Sequence, residues 1–443
     1  MNRKLIVISA DAMISEDLDL LKYKPVFGRL IREGAVVKHV RSIYPTLTYP
    51  CHTTMRTGNH PDRTGVWNNL PFLIRDDEMI WNFYQDAVRC RDLFDAAKEK
   101  HLTTAAVAWP VTGNHKNIDY LVDEIWPSDP AKLHDEDAFT KAYLDSGTSQ
   151  ELFDTCVKPH ISLRLPKRQP DTAWFSTYVS ADIIRNYKPD LMMIHIANID
   201  GARHKAGVFS EEAMQSVLMT EDMIDVIISA AEEAGVWEET DLVIPSDHGQ
   251  IDVDRAVRPN VLLRQEGFMT CDADGAILSW KAWCLSAGAS AQIAVNPDLD
   301  EAEKKQVLDQ VRTIIEEKIT AGDSGIERMY TVDETEAAEK LAGAFDLVLE
   351  TDGHTKFLSG WSGDYMTVFE KPVGTHGHYP DKGPDPVFIG YGPSFVKGAR
   401  VECARLADTA ATYAAILGLD LPGIDGKVIG GILGCRKERR DEI

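Results

Sequence analysis

Residues 5–11 read LIVISAD, an apolar run interrupted only by Ser9 that stops at an aspartate. The same shape recurs twice. LMMIHIANID (191–200) ends at Asp200, with His204 four residues further on, and DLVIPSDH (241–248) ends in the pair Asp247–His248. In an open α/β sheet, ligands bind just beyond the carboxyl ends of the strands. Three aspartates at three such ends are therefore expected to converge in one crevice. Carboxylates gathered that closely repel one another unless cations bind among them. The pattern asks for metal.

Outward from these runs, apolar stretches alternate with helical patterns, which favours a mostly parallel sheet covered by helices. Phe27, Leu30 and Ile31 line one helix face, with Gly34 as its stop. A second helix opens near Ser210, with Met214, Val217, Leu218, Ile224, Ile227 and Ile228 as its buried stripe and Gly235 as its end. Leu406 to Leu417 before Gly418 reads the same way. Residues 262–368 differ: strand-like AQIAV (291–295), a charged amphipathic helix bearing Leu308, Val311, Ile315 and Ile319, then FDLVLE (345–350). The expected architecture is α/β, with a core of residues 1–261 and 369–443 and a small α/β subdomain inserted at 262–368.

The chain has 443 residues, 44% of them hydrophobic, and a formal charge of −23, which opposes nonspecific binding to nucleic acid. No run approaches a membrane span, and the apolar stretch behind MNRK is too short for a signal-peptide core. The seven cysteines (51, 90, 156, 271, 284, 403, 435) are scattered and odd in number, as expected of reduced thiols in a cytoplasmic protein. A homo-oligomer is left open.

The segment YPTLTYPCHTTMRTGNHPDRTGVWNN (44–69) is the most specific. Pro50 suits the first turn of a helix running to about Thr57, with Gly58 as its end. Thr48 then lies at the helix N-terminus, where free N–H groups and the dipole favour negative charge. A coordinated metal can ionise its hydroxyl. Most threonines at such a place only cap the helix.

With GTHGHYP (374–380) included, the chain resembles the nucleotide pyrophosphatase/phosphodiesterase branch of the alkaline phosphatase superfamily. The resemblance rests on Asp11, PTLTYPCH (45–52), DGARH (200–204), DHG (247–249) and GTHG (374–377), in the family's order over most of the chain. It implies an alkaline-phosphatase-like fold and two divalent ions. Asp11, Thr48, Asp247 and His248 would hold one ion, and Asp200, His204 and His376 the other. Nitrogen and oxygen donors suit zinc, with manganese also open. Two such ions bring four positive charges against four from three aspartates and a Thr48 alkoxide, so the site could take an anionic phosphoester, a nucleotide among the candidates.

The implied reaction is hydrolysis of a phosphodiester or phosphoanhydride through a phospho-threonine on Thr48. Asn69 would donate to the phosphoryl oxygen, with Asn68 as the alternative. Tyr49 is expected either to stack on the substrate or simply to pack at the helix start. His52 and His378 are read as supporting residues, Trp109–Pro110 as a turn at the site rim, and His195 as ordinary. The alternatives are a phosphomonoesterase or a phosphonoacetate hydrolase, which would need a cation for further substrate charge; Arg56, Arg63 and Lys116 are the residues available.

Overall fold

The computed structural model describes residues 3–74, 79–165 and 167–434. Lys4–Ala10 is the centre of an eight-stranded sheet. From one edge to the other the strands are Arg400–Arg405, Ala35–Arg41, Phe388–Tyr391, Thr240–Pro245, Lys4–Ala10, Leu191–Ile196, Thr104–Val107 and Tyr120–Val122. All neighbours are parallel except Phe388–Tyr391, which runs antiparallel to both strands beside it.

The central run lacks alternation because both faces are covered. Ile6 and Ile8 point into one apolar cluster with Phe27, Leu30, Ile184, Ile224 and Ile227. Leu5 and Val7 point into another with Cys51, Met55, Phe94 and Tyr413. Each fully buried side chain of this kind contributes roughly 1.5–3 kcal/mol. The helix expected after Ser210 spans Glu211–Glu233, with the Ser210 hydroxyl accepting from the Ala213 N–H. Its inward stripe runs through Ala213 and Val217; Met214 is 49% exposed, because it stands one position off that face.

Residues between His248 and Gly374 build the remaining sheets. Ala282–Ser286, Ser290–Val295, Leu347–Thr351 and Ile326–Thr331 form an antiparallel sheet in that order. The helix Glu301–Ala321 lays Val307, Val311 and Ile315 on the cluster it covers. Ile251–Val257 joins Thr355–Phe357 and Met366–Thr375 in a third sheet. The last strand runs across the boundary expected at residue 368.

The second sheet reaches the carboxyl edge of the first. Ala289 N–H donates to the His376 carbonyl (2.7 Å) and the Ser290 hydroxyl to the Gly377 carbonyl (2.6 Å). Gly377 has φ +91°, and a Cβ there would lie 1.6 Å from the Ala287 carbonyl oxygen. Only glycine lets the two backbones approach this closely. No helix among the described residues is long and apolar enough to cross a membrane.

Candidate active site

Sheet order explains the convergence. The strands leading to Asp11, Asp200 and Asp247 are three adjacent parallel strands, so their carboxyl ends open at one edge. Asp11 follows its strand directly. Asp200 and His204 share a face of the helix Asn198–Ala206 at i, i+4 spacing. Asp247–His248 follows Thr240–Pro245.

Two triplets offer ligand atoms lying within 4.8 Å of one another: Asp11, Asp247 and His248, and Asp200, His248 and His376. His248 belongs to both. Its Nε2 is 3.5 Å from Asp11 Oδ1 and 3.2 Å from Asp247 Oδ2, and its ring stacks on His376 at 4.0 Å. His204 Nε2 is 3.2 Å from Asp200 Oδ1, and His376 Nε2 is 3.7 Å from the same oxygen. All six expected acid and imidazole groups meet in one cluster.

Thr48 is the first residue of the helix Thr48–Thr57, which closes at Gly58 with φ +72°. Its Oγ1 lies 3.2 Å from His248 Nε2. Thr46, two residues earlier, ties this segment to the GTHG loop: its carbonyl accepts from His376 Nδ1 (2.8 Å), and its hydroxyl donates to the His378 carbonyl (2.9 Å).

The backbone also fixes the imidazole tautomers. His204 Nδ1 donates to the Gly374 carbonyl at 2.9 Å and His248 Nδ1 to the Gly249 carbonyl at 3.2 Å. With His376 on Thr46, each ring has its Nδ1 committed and its Nε2 turned to the cluster, as a metal-ligating imidazole requires. The carboxylates are also divided. Asp247 Oδ1 accepts from the Ala12 N–H at 3.1 Å, whereas Asp247 Oδ2 and Asp11 Oδ1 are buried without a hydrogen-bond partner. Buried carboxylate oxygens left unpaired are costly and are the donors a divalent cation takes.

Of the two asparagines, Asn68 is committed elsewhere. Its Nδ2 donates to the Ser286 carbonyl (3.0 Å) and Gln292 Oε1 (2.8 Å). Asn69 Oδ1 accepts from the Tyr49 N–H at 2.8 Å, which anchors its amide beside the start of the helix Thr48–Thr57. Tyr49 does not offer a stacking face: it is fully buried, edge-on to Trp81 at 5.1 Å and packed with Val66 and Val111. The packing alternative describes it. Trp109–Pro110 does lead into a turn at Pro110–Val111, but the Trp109 side chain is buried, with Nε1 donating to the His52 carbonyl and its ring edge-on to His52. His52 Nδ1 donates to the Thr48 carbonyl at 2.8 Å, and His378 Nδ1 to the Tyr379 carbonyl at 2.9 Å. Asp92, Asp95 and His115 form a third acid–imidazole group, but Arg56 Nη1 lies 3.2 Å from Asp92, so a cation already sits there.

Sequence reasoning passed over His195 and Gln250. His195 Nε2 is 2.8 Å from Asp11 Oδ2, and Gln250 Nε2 donates to Asp200 Oδ1. Neither belongs to a strand-end motif, and the link from His195 to Asp11 crosses strands.

Burial pushes the Asp247 carboxyl up to about 7, against the Ala12 N–H and with the charge of Asp200 adding to the rise. Burial and the charges of Asp247 and Asp200 raise Asp11 as well. A carboxyl with a raised folded value holds its proton more tightly folded than unfolded, so it favours the metal-free fold at low pH. That contribution is lost as pH rises toward 7. A bound cation displaces the proton and removes the deficit. The rise in melting temperature on adding zinc should therefore be small at pH 5 and clearly larger at pH 7.5. Equal shifts at both pH values would contradict this account.

Residues 5–379 match the family of Type I phosphodiesterase / nucleotide pyrophosphatase. A mostly parallel sheet gathering these groups at its carboxyl edge is an alkaline-phosphatase-like fold. The chain belongs to the Type I phosphodiesterase / nucleotide pyrophosphatase family. It is 23% identical over 248 residues to human bis(5'-adenosyl)-triphosphatase ENPP4, covering 56% of this chain and 47% of that protein. An ectonucleotide pyrophosphatase/phosphodiesterase of Caenorhabditis elegans is 22% identical over 94% of this chain and 47% of its own length. The chain thus spans about half the length of these curated relatives. In fold it is similar to murine ectonucleotide pyrophosphatase/phosphodiesterase 5, with a TM-score of 0.67 at 16% identity, covering 98% of this chain and 100% of that one. An inactive variant of the murine protein in complex with AMP gives a TM-score of 0.65 at 16% identity over 96% and 97% of the two chains.

Proposed function

We propose that this chain is a metal-dependent hydrolase of phosphodiester or phosphoanhydride bonds in nucleotide-like substrates, acting through a phospho-threonine on Thr48. One observation carries the reading: a hydroxyl at a helix N-terminus, 3.2 Å from an imidazole that belongs to both triplets of a cluster of three aspartates and three histidines. The unpaired oxygens of Asp11 and Asp247 and the three inward Nε2 atoms suit two divalent cations, most simply zinc. One would be held by Asp11, Thr48, Asp247 and His248, the other by Asp200, His204 and His376. When bound, the ions supply Lewis acidity that lowers the hydroxyl pKa of Thr48 and offsets phosphoryl charge.

The chain's own residues do the rest. Thr48 Oγ gives up its proton to water and forms a bond to phosphorus as the bond to the leaving oxygen breaks, and that oxygen departs with its electron pair to be protonated by water. At the helix start the Tyr49 N–H is spent on Asn69, Pro50 has none and the Cys51 N–H is spent on the Leu47 carbonyl, so the Thr48 N–H is the donor left to face the anion. Asn69, held through Oδ1 by Tyr49, has its NH₂ group for a phosphoryl oxygen. Water then attacks phosphorus, and Thr48 recovers its proton as the ester bond breaks.

The diester reading is favoured because two of the three candidate cations are held by partners of their own and the third is exposed. Arg56 is buried on Asp92, Arg63 binds the Gly423 carbonyl, and Lys116 is exposed beside His115, whose ring pairs with Asp92. A monoester dianion usually gains from one more Arg or Lys. The nitrophenyl ester of a nucleotide should be cleaved with a specificity constant about tenfold or more above that of nitrophenyl phosphate under one metal condition. A ratio favouring the monoester, or faster phosphate release from phosphonoacetate, would replace this reading.

A further inference from the structure

We propose that His195 is a positioning residue that fixes which oxygen of Asp11 faces the cation site, with Glu124 and Ala108 holding the imidazole in turn; the inference rests on the two-metal reading above.

His195 pairs in register with Ser9 on the neighbouring strand, which brings its ring beside Asp11. It is buried. Its Nε2 is 2.8 Å from Asp11 Oδ2, while Nδ1 lies 3.2 Å from the Ala108 carbonyl and 3.6 Å from Glu124 Oε2. The His52 ring packs edge-on against it at 4.5 Å. The Ala108 carbonyl is presented by a backbone at φ +53°, a conformation that costs a non-glycine residue energy. Contacts on both ring nitrogens and one ring edge leave the imidazole a single orientation.

The effect falls on Asp11. One oxygen is taken by His195; the other, Oδ1, has no hydrogen-bond partner and lies 3.5 Å from His248 Nε2. Asp247 is divided alike, with Oδ1 on the Ala12 N–H and Oδ2 toward His248. The two carboxylates thus each present one oxygen to the same imidazole. For Asp247 the holder is backbone. For Asp11 it is a side chain, so the arrangement can be tested by substitution. Without His195, Asp11 could rotate, and the ion it helps to hold would lose a directed donor; the ion of Asp200, His204 and His376 would keep all of its own.

The test uses the full chain, stripped of metal and titrated with zinc against a chromogenic chelator. Glutamine places an amide N–H near where Nε2 stood, and asparagine near where Nδ1 stood. His195→Asn should weaken one of two zinc ions by about 10–100-fold and leave the other within about twofold. It should lower kcat with little change in KM. His195→Gln should recover most of both, and His195→Ala should behave like the asparagine variant. The asparagine variant keeps a polar side chain of similar bulk and serves if alanine does not fold. Unchanged affinity for both ions in His195→Asn, equal weakening of both, or a glutamine variant as poor as asparagine would overturn the inference and leave the two-metal reading standing. Wild-type protein that binds no zinc would overturn both.

Discussion

Thr48→Ala is expected to lower turnover by roughly four orders of magnitude or more while the melting temperature stays within a few degrees of wild type. The separation follows from the setting of the residue. The Thr48 hydroxyl contacts His248 Nε2, and its backbone begins a helix fixed by Pro50, the Gly58 cap and the Asn69–Tyr49 contact. Alanine keeps all of that and removes only the attacking oxygen. Thr48→Ser restores an oxygen at the same atom and should retain part of the rate, although the serine rotor is less confined. Acid-quenched protein should carry a labelled phosphoryl group in the wild type and none in Thr48→Ala. Near-normal turnover in the alanine variant would mean that water attacks directly and that no phospho-threonine forms.

Chelation should abolish activity as completely. Three aspartates this close, two of them fully buried, cannot all ionise without compensation, and the arginines near them are turned to other work. Arg203 is bound to Asp17 and the Ala12 carbonyl, and Arg56 to Asp92. Elemental analysis of active protein should give close to two divalent ions per chain. Activity lost to a chelator should return with zinc or manganese. Active protein carrying no metal would end the two-ion account.

The elements that converge were legible because each ends an apolar run. Asp11, Asp200 and Asp247 announce themselves as charges closing sequences that water otherwise avoids, and Pro50 and Gly58 bracket the helix that Thr48 begins. What stayed hidden depends on pairings between strands. His195 looks like one polar residue inside LMMIHI, and only the register with Ser9 puts it on Asp11. Tyr49 could face solvent or core on sequence alone; Trp81, 32 positions later, covers it. The strand Met366–Thr375 was missed because it is mostly exposed, contains Pro372, and its pairing is irregular between Val368 and Val373, so neither apolar run nor alternation marks it.

The hydrogen bonds from Ala289 and Ser290 to the His376–Gly377 backbone bear on how far this protein can be dismantled. The antiparallel sheet is masonry for the loop that carries His376, laid against a glycine that admits no side chain. Cutting it away would spare the parallel sheet and Thr48 but leave His376 on an unsupported loop and Asn68, beside Asn69, without Ser286 and Gln292. A minimal catalyst trimmed to the parallel core would then keep all four groups proposed for one ion and two of the three proposed for the other. Exchanging the antiparallel sheet for that of a relative would succeed only if the graft carried its own answer to Gly377.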